Sequence, residues 1–174
     1  QICRDLELGD DAMELWFNRA MLADPDNAQA CADKAIYLGP QWNDESEKAA
    51  AFGQECLQTG TARNRISLVT VDIYENLAAI TADPNAFFHN PEVWKVIQAA
   101  YAVVLSDASR MMDDRRLLLA DRGALLKYAF RCGQWQAFLD LAKEYGEDVN
   151  VVALGGRDRY DFEKQLAQQQ LTAK

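Results

Sequence analysis

The sequence predicts an all-α fold of antiparallel helical hairpins, about eight helices with no sheet. Three observations carry this expectation. Apolar residues recur at spacings of three and four along most of the chain, the period of a helix with one buried face. Only four prolines and nine glycines interrupt 174 residues, leaving room for long helices. Most of those breakers fall between the periodic stretches, where turns belong.

The first helix is expected to begin at Asp10-Asp11, whose carboxylates suit the positive end of a helix dipole. Met13, Trp16, Phe17, Ala20 and Met21 form its apolar face, and Asp24-Pro25-Asp26-Asn27 ends it. A second helix runs from Ala28 to Leu38 and stops at Gly39-Pro40. Trp42 lies in the following loop; Asp44 or Ser46 then caps a third helix through Ala49, Phe52, Cys56 and Leu57, ending at Thr59-Gly60. The fourth helix has the cleanest period: Ile66, Thr70, Ile73, Leu77 and Ile80 alternate steps of four and three.

Thr81 to Asn90 reads as a loop holding His89, the only histidine. Pro91 opens a helix with Val93, Trp94, Ile97, Tyr101 and Val104 on its face, proline being tolerated at the first helical position. The next helix carries Leu118, Leu125, Ala129 and Cys132, and Gly133 turns the chain into one with Trp135, Phe138 and Leu139. Gly146 closes it, Val149–Leu154 reads as extended or irregular, and a polar helix from Asp158 to Gln170 follows Gly155-Gly156.

Charge narrows the partners. Residues 1–60 hold 12 acidic and 4 basic side chains, a balance of −8, while residues 61–174 hold 15 and 14, a balance of −1. An acidic front half argues against nucleic acid, which selects a basic face, and against an anionic membrane surface. The longest nearly uncharged run, Val96 to Leu105, is about ten residues, half of what a membrane span needs. Four dispersed cysteines with no CxxC pair suit free thiols in a reduced compartment such as the cytoplasm. Gln1 in place of an initiator Met reads as the start of an excised fragment.

No residue cluster carries a catalytic signature. His89 is the only imidazole available to activate a Cys or Ser, and it reads as a surface histidine. The acidic pairs Asp10/Asp11, Asp44/Glu45 and Asp113/Asp114 lack the alternating pattern of a calcium loop and suit helix caps. Gly155-Gly156-Arg157 has no following Lys-Ser/Thr and is no phosphate loop. No catalytic residue, cofactor or metal ligand is therefore expected. Trp42 in its loop is a candidate partner contact, or a lid over the second and third helices. Arg115 and Arg116, with Arg122 and Arg131, suit either an acidic partner or pairing within the chain.

Two stretches, clearest at 12–38 and 117–145, resemble the tetratricopeptide repeat, a helix–turn–helix unit of 34 residues. Phe17, Ala20, Pro25 and Asn27 match the end of one repeat, and Ala30, Ala35 and Leu38 continue its register. Gly133-Gln134-Trp135 resembles the turn inside another, with Tyr128 and Ala129 before it and Phe138 standing where a small residue is usual. The stretch Tyr128–Trp135 leading to Gly155-Gly156 is also similar to the tails of uncharacterised bacterial proteins of this type. The resemblance implies one tetratricopeptide-like superhelical domain over 1–174 that binds a protein or peptide. Some members clamp a peptide carboxylate with Lys and Asn; here those positions hold Ala32, Asp33 and Ile36, and Gly123, Ala124 and Lys127, so the clamp is not implied.

The function expected is thus a non-catalytic interaction or scaffold module. Homo-oligomerisation through an unsatisfied terminal hairpin is compatible with it, as is a structural segment of a larger chain. The alternative is an all-helical enzyme or ligand-binding domain using dispersed carboxylates. That alternative requires a deep cavity with at least two buried acids of perturbed pKa.

Overall fold

The computed structural model describes residues 9–39, 46–106 and 114–173. Among these residues the protein is all-α: nine α-helices, two 3-10 turns and no strand. No described helix is long and apolar enough to cross a membrane. Trp42 lies outside the described residues, as do Cys3, Asp44, Glu45 and Asp113. The chain divides into two compact units, Gln1–Ala82 and Asp83–Lys174.

The N-terminal unit contains α1 (Asp10–Ala23), α2 (Ala28–Tyr37), α3 (Ser46–Thr59), a 3-10 turn (Ile66–Leu68) and α4 (Val69–Ala79). Each helix packs on the next, and α2 also packs on α4. The N-cap of α1 is Gly9, which offers no side-chain cap, so Asp10 and Asp11 act through the helix dipole from the first turn. Asn27 caps α2 by accepting from the Ala30 amide at 2.9 Å. Met13, Cys31, Phe52, Cys56, Ile66 and Ile73 belong to one buried cluster. Phe17 meets Phe52 edge to face with centroids 5.6 Å apart. The Lys34 ammonium lies 4.3 Å over Phe17 and 4.7 Å over Phe52 and reaches Glu14 at 2.7 Å, which joins α1, α2 and α3. Inside the core the Thr70 hydroxyl donates to the Gly53 carbonyl at 2.6 Å, so this buried polar group is satisfied. The stripe expected in the fourth helix is buried at Ile66, Thr70 and Ile73, but its first turn is 3-10 and Ile80 ends it exposed.

The C-terminal unit contains α5 (Pro84–Phe88), α6 (Pro91–Leu105), α7 (Arg115–Arg131), α8 (Trp135–Tyr145), a 3-10 turn (Val151–Leu154) and α9 (Arg157–Thr172). The stretch expected as a loop, Thr81–Asn90, holds α5, capped by Asp83 accepting from Asn85 and Ala86 amides at 2.9 and 3.1 Å. A helix this short shows no period in sequence. Its Phe88 is fully buried against Tyr128, and the Arg131 guanidinium stacks 3.7 Å over that ring.

Gly133 ends α7 with a left-handed φ of +67°. The Gln134 amide donates to the Ala129 carbonyl and the Gly133 amide to that of Phe130, the two bonds of a Schellman cap. Phe138, bulky where the repeat has a small residue, packs on Phe130 and Tyr160 at 5.5 and 6.3 Å, so α9 supplies the room it needs. Of the stretch Val149–Leu154, expected as extended or irregular, Val151–Leu154 instead forms a 3-10 turn, and Asn150 before it is extended. Asn150 caps a 3-10 turn and donates its amide to the Leu119 carbonyl at 3.0 Å, fastening the turn to α7.

Candidate functional site

In a helix apolar on one stripe, everything outside that stripe is ordinarily polar. α1 departs from this. Its inward face is Met13, Phe17 and Met21, buried or packed on the core. At about 100° per residue, Leu15, Arg19 and Leu22 fall within about 60° of one another, on the side away from Met13 and Phe17. Leu15 is 49% exposed and Leu22 84% exposed. Trp16 flanks them, 53% exposed, with the Arg19 guanidinium 5.0 Å over its ring.

Trp16 reads in sequence as part of the core face, and the structure corrects this. The inward position at that level is filled by Phe17 and Phe52 under Lys34, which leaves the indole at the edge. Leu15 and Leu22 were legible as a second apolar spacing of seven on the same helix. Carboxylates bracket the ridge: Asp10 and Asp11 at its start, Asp24 and Asp26 beyond its end, all exposed. Asp10 accepts from the Tyr37 hydroxyl at 3.0 Å and meets Lys48 at 3.4 Å; Asp26 accepts from Asn64 at 3.0 Å. The ridge carries two leucines and one arginine, Arg19, along its middle, with carboxylates near both ends.

Two arginines of α7, Arg115 and Arg122, converge on Asp148 in the loop after α8. Arg115 meets Asp148 at 2.8 Å, in an exposed pair. Arg122 donates to the Asp148 carbonyl at 3.2 Å and stacks 4.8 Å over Tyr145. Arg116 is exposed in the first turn of α7. Asp114, one of the candidate acidic residues, caps α7 through the Leu117 amide at 3.0 Å.

A cavity of about 230 Å³ opens in the C-terminal unit, lined by Lys127, Ala153, Leu154, Gly155, Arg159 and Glu163. Glu163 is its one carboxylate, buried and ion-paired to Arg159 Nε at 2.9 Å. The lining contains no thiol, hydroxyl or imidazole side chain, and the volume lies below the roughly 300 Å³ at which small-molecule sites begin. His89 is exposed at the end of α5, its ring beside the backbone of Gly133. Among the described residues no group of three His, Cys, Asp or Glu side chains is placed to hold a metal ion. Cys31, Cys56 and Cys132 are buried free thiols. Compared with known proteins, the chain matches no protein-family model, no curated protein and no solved structure, so its own geometry carries the functional reading.

Proposed function

We propose that the protein is a non-catalytic protein-binding module, its helical hairpins stacked in the manner of the tetratricopeptide class, and that α1 is its contact face. The observation that carries this reading is the outward ridge of Leu15, Trp16 and Leu22, each about half exposed or more. An aromatic and two leucines clustered on one surface make a contact anchor rather than scattered surface apolarity. The bracketing aspartates select the partner's chemistry: an amphipathic helix with apolar residues at i and i+7 and Lys or Arg at its ends. The enzymatic alternative requires two buried acids in one deep cavity; among the described residues, the cavity beside Lys127 holds one carboxylate, Glu163, ion-paired to Arg159.

The test is calorimetric titration with a designed helical peptide of leucine and lysine. The reading predicts 1:1 binding that weakens as salt rises, since exposed charges are screened within about 10 Å at 0.1 M. Leu15→Asp and Leu22→Asp should each weaken it on the order of tenfold or more. Both positions are exposed, so stability should change by only about 0.5 kcal/mol. Equal affinity in wild type and both variants would refute the contact face.

A further inference from the structure

In the acidic first sixty residues, three described side chains are cationic: Arg19, Lys34 and Lys48. Two of them meet a carboxylate. Lys34 reaches Glu14 at 2.7 Å and Lys48 reaches Asp10 at 3.4 Å. Arg19 meets none among the described residues; its one contact of this kind is with the Trp16 ring, 5.0 Å from the guanidinium carbon. The reason is its place on α1. A helical side chain touches those three and four residues away, and for Arg19 these are Leu15, Trp16, Leu22 and Ala23. All four are apolar, and all four are exposed. Glu14 lies about 140° round the helix from Arg19 and is taken by Lys34. Asp11 lies two turns back, roughly 12 Å along the axis.

We propose that Arg19 is the specificity-determining residue of the α1 contact face and takes a carboxylate from the middle of the partner helix. This rests on the reading of α1 as a protein-contact face. The partner then carries leucines at i and i+7, a Glu or Asp between them at i+3 or i+4, and Lys or Arg at its ends. Stacking on Trp16 engages the face of the guanidinium and leaves its in-plane N–H donors for a carboxylate. Covering Leu15 and Leu22 removes water from around that pair, which strengthens it. Elsewhere along the ridge a partner carboxylate would face Asp10, Asp11, Asp24 or Asp26, so the central acid also sets the register.

The same charges disfavour a second copy of this chain as the occupant. In a symmetric antiparallel pairing centred on the ridge, Arg19 would meet its own counterpart. The aspartates at the start of one α1 would meet those beyond the end of the other.

The experiment is calorimetric titration of the full chain with three helical peptides. They share leucines at i and i+7 and lysines at both ends, and differ midway: Glu, Gln or Lys. The expected order of affinity is Glu, then Gln, then Lys, with Glu binding about tenfold tighter than Gln. Arg19→Gln should erase the advantage of Glu, and Arg19→Glu should make the Lys peptide the tightest. Arg19 is exposed, so both variants should keep the helical fold, as read by circular dichroism. Binding without preference in the unaltered chain, or a preference for Glu that survives Arg19→Gln, would overturn the role of Arg19 and leave the contact face standing. No binding of any peptide would refute the contact face and this inference with it. A dimer in sedimentation that Leu22→Asp disperses would overturn the proposal too, by placing a second copy on the face.

Discussion

Gly123 marks where α7 meets the turn that follows α8. A Cβ built there would stand 2.8 Å from the Asn150 carbonyl oxygen, a backbone atom with little freedom to retreat. Alanine favours a helix interior over glycine by about 1 kcal/mol. Overpacking against backbone costs about 1–3 kcal/mol, so Gly123→Ala should on balance destabilise the protein in urea unfolding. Tyr145 makes a prediction in pH. Its phenol is pushed up from 10.0 to about 12, first by burial and then by Glu144, with Arg122 opposing. The unfolded chain loses this proton near pH 10 and the folded chain near pH 12. The stabilisation is thus fully present below pH 10 and is lost as pH rises through 12, by about 2–3 kcal/mol at most. Tyr145→Phe keeps the ring under Arg122 and should flatten that part of the stability profile. Tyr160 is raised in the same direction, chiefly by burial, and should leave a residual slope in the variant.

The elements differ in how far the sequence announces them. α6 declares itself through Pro91 and the period of Val93, Ile97 and Val104, and all three of those side chains are buried. α5 does not, because five residues around a proline contain no repeat of period. The 3-10 turn at Val151–Leu154 depends on a bond to Leu119, thirty-one residues earlier than Asn150, which no local pattern encodes. The same reasoning divides the candidate sites. The ridge on α1 was written in one helix as a second apolar spacing, hidden only because Trp16 also fits the core spacing. Arg115 was legible as a charge, yet its pairing with Asp148 is a product of how α7 and the loop after α8 meet. At this scale Asn27 is the testable residue. It satisfies an orphan amide of α2, so Asn27→Ala should cost about 1 kcal/mol, read as a lower urea midpoint with unchanged slope.

At the scale of the molecule, two compact units each carry their own core, and the acidic balance is concentrated in the first 60 residues. Aromatic contacts build the second unit: Trp135, Phe130, Phe138 and Tyr160 follow one another edge to face. Phe138 is fully buried at the centre of that chain, so Phe138→Ala should destabilise by about 3–5 kcal/mol in denaturant unfolding. In the first unit one outward face exposes Leu15 and Leu22 around Arg19, between acidic ends, and the protein-binding account rests on it. The measurement that tests this most directly is an NMR titration of the isotope-labelled chain with the leucine–lysine helix. The account predicts that amide shifts concentrate at Leu15, Arg19 and Leu22, that the Trp16 indole N–H moves with them, and that Leu15→Asp needs at least about tenfold more peptide for the same response. Shifts confined to the C-terminal unit, or none at saturating peptide, would contradict it.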